Sequence, residues 1–103
     1  MKENQRDEHG RRQGLWKKFY KNDNILAREN FVDDKQHGKS ECFNSNGNII
    51  WGGNYHNGKK HGFREAFHEN GNIHFRANFR DDKQHGPAEW FREDGQLERI
   101  IIY

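Results

Sequence analysis

The chain of 103 residues has little of what most chemistries need. It holds one cysteine, Cys42, so no intrachain disulfide can form and a reducing compartment is permitted. It holds one proline, Pro87, whereas disordered polar chains usually carry several. No apolar run approaches the ~20 residues of a membrane-spanning helix. The opening segment MKENQRDEHGRRQG has no apolar stretch of the kind a signal peptide needs. The expectation is a cytoplasmic protein. Neither sign of charge dominates: 18 Lys and Arg stand against 16 Asp and Glu, a net charge of +2, with both signs interleaved along the chain. Nucleic-acid and membrane partners, which select for a concentrated basic patch, are disfavoured. Hydrophobic residues are also scarce, at 30% against 33% charged, which on composition alone leans toward disorder.

What is present opposes that leaning. Aromatic residues reach 14%, and these are what disordered chains lack. A small apolar supply spent mostly on large rings predicts a thin structure with one apolar layer rather than a thick core.

A gapless repeat organises the chain. Gly14, Gly38, Gly62 and Gly86 are spaced by 24. Phe19, Phe43, Phe67 and Phe91 follow, then Ile25, Ile49, Ile73 and Leu97, then Phe31, Tyr55, Phe79 and Tyr103. Lys35, Lys59 and Lys83 share a further column, as do His37, His61 and His85. The units are 14–37, 38–61, 62–85 and 86–103, preceded by a leader, 1–13, that supplies a degenerate entry turn. An Asn-Gly or Asp-Gly pair lies between two runs of aromatic and β-branched residues in most units, the signature of a β-hairpin. Helix is excluded because the apolar spacing is two and Gly or Asn interrupts every helical window. The fold expected is all-β: one elongated antiparallel meander of about eight strands, each hairpin leaning on its neighbours.

Parity sharpens this. Ile73, Phe75 and Phe79 alternate and so share a face. A three-residue loop, Glu69-Asn70-Gly71, pairs Phe67 with Ile73 and Glu65 with Phe75, which brings Phe67 onto that face. The predicted core is therefore one stripe: Phe19, Ile25, Phe31, Phe43, Ile49, Tyr55, Phe67, Ile73, Phe75, Phe79, Phe91 and Leu97. Asn30, Asn54, Asn78, Gly52 and Arg76 then fall on the opposite, polar face.

The segment DDKQHG, at 33–38 and again at 81–86, invites a catalytic or metal-binding reading. The middle unit fills the same slot with NGKKHG, and Asn, Asp and Gly share turn formation rather than charge. Histidines one unit apart sit ~10 Å apart across two strands, too far to share a zinc whose ligand nitrogens lie within ~4 Å of each other. His56 and His61 are the nearest to a pair. No catalytic residue, metal site or cofactor is expected.

Trp16, Tyr20 and Trp90 lie off the repeated aromatic columns, on the face opposite the stripe, as end caps or as contacts. The last strand, RIIIY, puts Ile100 and Ile102 on that opposite face and lacks a Lys or Pro to block pairing at the sheet edge. The candidate contact set is Trp16, Tyr20, Trp51, Trp90, Ile100, Ile102 and Tyr103, for another protein or an edge-paired second copy. The alternative is a cationic ladder, Lys35, Lys59, Lys60 and Lys83, for anionic lipid.

These columns (Gly, an aromatic, Asn-Gly, an aliphatic, a second aromatic, then Gly-Lys-x-x-Gly) resemble the MORN repeat, and more closely its second variant, found in many small bacterial proteins. GFREAFHENGNIHFRANFRDDKQHG (62–86) carries the resemblance best and GKSECFNSNGNIIWGGNYHNGKKHG (38–62) nearly as well. Asp23, Asp34 and Asp82 depart from it by standing at Gly positions. The resemblance implies a gutter-like antiparallel sheet without catalysis of its own. It implies protein contacts, membrane lipids in some eukaryotic members, and in some bacterial members an antitoxin or immunity role beside a toxin.

Overall fold

The structure, a computed structural model, describes residues 3–103. The strands are β1 (Gln5–Arg6), β2 (Arg12–Phe19), β3 (Ile25–Val32), β4 (Lys35–Phe43), β5 (Ile49–His56), β6 (Lys59–Lys60), β7 (Gly62–Phe67), β8 (Ile73–Arg80), β9 (Lys83–Phe91) and β10 (Leu97–Ile102). They form one antiparallel sheet in chain order, with β6 a short pairing of β5 set just before β7. Two strands beyond the eight long ones come from the leader, as β1, and from a break at His61 that separates β6 from β7. The leader expectation extends onto residues 1 and 2, which lie outside the described residues. The molecule measures 48 × 34 × 17 Å. Its accessible surface is 7074 Å², against ~6,100 Å² for a compact protein of this mass. That excess is what a single layer costs.

Every hairpin closes the same way. Phe67 pairs with Ile73, the His68 N–H donates to Asn72 O at 2.8 Å, and the Gly71 N–H donates to His68 O at 3.0 Å. Gly71 holds a left-handed φ of 90° and Asp23 takes the same role in the first hairpin at φ 71°. The expected Phe67–Ile73 pair is therefore present. The expected Glu65–Phe75 pair is not: Ala66 stands opposite Phe75 and Glu65 opposite Arg76. A β-bulge causes the shift, because His74 has no partner in the ladder. Leu26, Ile50 and Glu98 are set aside in the same way in the other hairpins.

The bulge reassigns the faces. Residues directly opposite one another share a face, and one extra residue swaps everything beyond it. One face, here the aromatic face, carries Phe31, Tyr55, Phe75 and Phe79 with Trp16, Trp51 and Trp90. The other, the mixed face, carries Phe19, Phe43, Phe67 and Phe91 with Ile25, Ile49, Ile73 and Leu97. The single stripe thus divides into two. Burial concentrates on the aromatic face, where Phe31 is 4% exposed and Phe79 8%. Ala77 and Ala88 complete this core, although the repeat columns do not single them out. Phe19 at 53% and Leu97 at 48% are exposed and lie outside the core, contrary to the sequence expectation. The rest of the predicted core, other than Tyr103's column mates Phe31 and Phe79, is half-buried.

The DDKQHG segments turn the chain. Asp33-Asp34, Asn57-Gly58 and Asp81-Asp82 all hold left-handed φ, between 49° and 84°, as a type I′ turn requires at both central positions. The turns are also tied to one another. The N–H of Asp34 donates to Arg12 O at 3.0 Å, that of Gly58 to Gln36 O at 2.8 Å, and that of Asp82 to Lys60 O at 3.1 Å. Where the turn residue is Asp, its carboxylate accepts a return bond: Arg12 N at 3.2 Å for Asp34, Lys60 N at 2.8 Å for Asp82. The Arg12 guanidinium donates to Asp34 at 2.6 Å, and this bond, with that from the Arg12 N–H, holds the Asp34 carboxyl below its ordinary range.

Two outcomes follow from this architecture. Phe79→Ala costs about 3 kcal/mol in urea unfolding, whereas Phe19→Ala costs less than about 1 kcal/mol; equal losses would overturn the division into two faces. Asp34 has a folded pKa below its free value of 3.8. It therefore contributes stability that is present above pH ~4 and lost as pH falls through the lower folded value. Asp34→Asn lowers the melting temperature at pH 7, and the mutant and parent curves converge as pH falls through the lowered folded value.

Candidate functional site

The aromatic face is roofed by cations. Arg6 lies over Trp16 at 5.1 Å, Arg12 over Phe31 at 4.2 Å, Arg64 over Trp51 at 4.2 Å, Lys60 over Phe79 at 5.3 Å and Arg99 over Trp90 at 4.4 Å. A single sheet has no second layer to cover these rings. Long basic side chains cover them instead, laying their stems over the apolar surface and keeping their charge in water. Gly53 serves this roof directly: a Cβ there would stand 3.2 Å from Arg64 Cγ. The face is thereby closed over much of its length.

Three predicted contact residues, Trp16, Trp51 and Trp90, are part of this closed face, which corrects the placement of Trp16 and Trp90. Trp16 stands opposite Glu29 in the β2–β3 register and packs edge-on to Phe31 at 6.2 Å. Trp90 stands opposite Phe75 with ring centroids 5.0 Å apart. Both share the face of Phe31 and Phe79 rather than opposing it, because the bulge shifts the parity of the second strands and not of the first. Trp51 lies under Arg64. Tyr20 is at a hairpin end, where its hydroxyl donates to Phe43 O at 2.6 Å and ties the first hairpin to the second. His68, in the same column, bonds Phe91 O at 2.8 Å through Nε2.

The basic ladder is divided in the same way. Lys35, Lys59 and Lys83 pair with Val32, His56 and Arg80 and project, exposed, from the mixed face. Lys60 turns to the aromatic face and sits on Phe79. At the leader end, Asp7 is a hub. Desolvation pushes its carboxyl up, but the Arg11 and His9 N–H groups, Gln13 Nε2 and the Arg11 guanidinium, all at 2.8 to 3.1 Å, outweigh it and hold the carboxyl well below the usual range. This charge fixes the β1–β2 turn.

Histidines cluster loosely at the turns. His56 stands between His37, with centroids 4.8 Å apart, and His61, at 5.8 Å. Among the described residues no three His, Cys, Asp or Glu side chains are gathered around a common point as a metal would require.

The sheet remains open at β10. All six of its residues are exposed, Ile100 at 47% and Ile102 at 67%. Tyr103 and Gly86 exchange both backbone hydrogen bonds, at 2.8 and 3.0 Å. By the alternation of an antiparallel ladder, the N–H and C=O groups of Ile102 and Ile100 point away from β9, toward the free edge. The predicted residues Ile100, Ile102 and Tyr103 are therefore together on the edge strand, which has one free side, while Trp16, Tyr20, Trp51 and Trp90 are not part of that surface.

Neither a curated protein nor a solved structure matches the chain. A family model described as a MORN repeat variant matches residues 12–33, 60–81 and 84–103, more than half of the chain. The model passes over residues 34–59, which hold most of the second hairpin, although its columns agree with the rest. Repeats of this family are commonly modules for protein or membrane interaction. With its hairpins, their turns and three matched segments in one register, the chain belongs to the MORN repeat family.

Proposed function

We propose that the protein is a non-catalytic interaction module that receives a partner protein by strand addition along β10. The observation that carries this is the combination of an exposed apolar strand with unpaired backbone groups at the sheet edge. Such an edge offers main-chain hydrogen bonds for affinity and alternate side chains for specificity. Ile100 and Ile102 on one face and Ile101 and Tyr103 on the other supply apolar contact on both sides of an added strand. The bulge at Glu98 and the Arg99 charge guard only the start of the strand, and no Pro or charge interrupts Ile100 to Tyr103. A second copy of the chain is one form of such a partner. A toxin neutralised by an antitoxin or immunity protein, as the family resemblance implies, is the finer form of the same reading.

A second reading, peripheral attachment to anionic membrane, draws on the Lys35, Lys59 and Lys83 row projecting from one face. A row of three at ~10 Å spacing supplies roughly 3 kcal/mol at a charged surface, which is marginal on its own.

A photo-reactive residue at position 102 cross-links one protein from host extract, whereas the same residue at position 35 does not. Ile102→Lys weakens capture by at least about tenfold, since an edge lysine opposes strand addition. Equal capture by Ile102→Lys removes the edge from the interaction. Capture that survives there but is lost on exchanging Lys35, Lys59 and Lys83 for Glu, together with salt-sensitive binding to phosphatidylserine vesicles, selects the membrane reading.

A further inference from the structure

The four hairpins meet at three seams, and two of them are built alike. Where the first hairpin meets the second, Arg28 faces Glu41 across β3–β4 and donates through Nε and a terminal nitrogen at 3.0 and 2.8 Å. The same guanidinium lies 5.6 Å from the Phe43 ring. Where the third meets the fourth, Arg76 faces Glu89 at 3.2 and 3.0 Å and lies 5.7 Å from Phe91. Each seam thus holds an arginine between a carboxylate and an aromatic ring on the mixed face.

The central seam keeps two of these three parts. Gly52 faces Glu65 across β5–β7 in the same register, and Phe67 occupies the ring column. The arginine is missing. Among the described residues Glu65 has no cation within 4.0 Å; Arg76, its neighbour across β7–β8, is committed to Glu89. The glycine is not demanded by the backbone, because Gly52 does not hold a left-handed φ. Nor is it demanded by space: a Cβ there would make ordinary contacts of 3.5 Å to Ile49 and 3.7 Å to Glu41. Gly53 beside it is explained by Arg64 on the other face, and Gly52 has no such explanation.

The absence leaves a cleft of about 210 Å³, walled by Glu41 and Glu65, by the Phe63 and Phe67 rings, and by Ile49. Glu41 is already held by Arg28, with Lys39 3.8 Å from its second oxygen, so Glu65 is the open acceptor. Phe63 is 61% exposed at the rim. The cleft continues toward the hairpin tips past Ile50 and His68. It is open there because the central seam lacks the ties of the other two. Asn22 and Asn24 both donate to Ser45 O, and Asn70 and Asn72 both donate to Glu93 O, at 2.7 to 2.9 Å. Among the described residues Asn46 and Asn48 make no such bond to Glu69.

We propose that this central cleft takes an arginine side chain of a partner protein, whose guanidinium fills the place that Arg28 and Arg76 fill in the flanking seams. A planar guanidinium pairs with a carboxylate while stacking on a ring, which an ammonium does poorly. The two intramolecular copies show that this backbone presents carboxylate and ring at the spacing such a group needs. The proposal rests on the reading of the protein as an interaction module and adds a second contact, on the mixed face and away from β10.

The test is a titration of the full chain with N-acetyl-L-arginine amide, followed by amide ¹H–¹⁵N correlation spectra. Saturable shifts centred on Gly52, Gly53, Glu65 and Phe67 are expected, with N-acetyl-L-lysine amide at least about fivefold weaker. Glu65→Gln abolishes the shifts. Gly52→Arg abolishes them too, since its own side chain fills the cleft. Both variants keep the dispersed spectrum of a folded sheet, and should Gly52→Arg fail to fold, Glu65→Gln alone decides. The proposal is overturned by the absence of saturation up to about 50 mM, by equal binding of the lysine amide, or by shifts that persist in Glu65→Gln. If the arginine amide does not bind while cross-linking from position 102 persists, this inference falls and the interaction reading stands.

Discussion

One extra residue on the second strand of every hairpin governs this molecule. Leu26, Ile50, His74 and Glu98 each leave the ladder, and everything beyond them changes face. Without that bulge the repeated Phe, Tyr and Ile columns of both strands would crowd one side and leave Trp16 and Trp90 on the other. With it, the wide rings of the second strands join the tryptophans of the first under a roof of Arg and Lys side chains. The other face is left with a regular grid of phenylalanines, aliphatics and Arg–Glu pairs. The division eases the problem of a sheet with no second layer, because basic side chains cover the rings of the aromatic face, while Phe19, Phe63 and Leu97 stay exposed on the mixed face.

The repeat, the hairpins, their three-residue loops and the turn role of DDKQHG were legible in the sequence, because each has a residue that chemistry restricts. Gly71 and the Asp pairs hold left-handed backbone, and only a few residue types tolerate it. The bulge was not legible, because the residue it sets aside is Leu, Ile, His or Glu in turn, with no steric or hydrogen-bonding signature in common. That single gap explains the misplacement of Trp16 and Trp90, the false pairing of Glu65 with Phe75, and the inclusion of Phe19 and Leu97 in the core. Ala77 and Ala88 were missed because alanine carries no column signal and is buried only through what packs above it. The edge residues Ile100 and Ile102 were legible because consecutive isoleucines break the alternation a two-faced strand should show.

A longer period lies over the 24-residue one. DDKQHG returns after 48 residues, as do the Arg28 and Arg76 ion pairs and the asparagines that bridge adjacent hairpin tips. The chain is thus a pair of two-hairpin blocks as much as four hairpins. Within a block the joint is tied by an ion pair, a cation over a ring, a capping side chain and two amide bridges. Between blocks most of these are replaced by Gly52 and an open cleft. The span that the family model passes over, 34–59, includes Gly52, which carries this exception.

This arrangement has a mechanical consequence. The strands run across the molecule and their hydrogen bonds run along its 48 Å length. A pull between the two ends therefore loads the joints in series, and the least-tied joint bears the same tension as the best. The central seam, with four registered residue pairs once β6 is counted against five in each of the other two, and without their ion pair and amide bridges, is then the fuse of the molecule. Tension would part the chain there into two intact blocks before it unravelled either, and any group that bridged Glu65 to its neighbour across the cleft would act as a lock on that fuse.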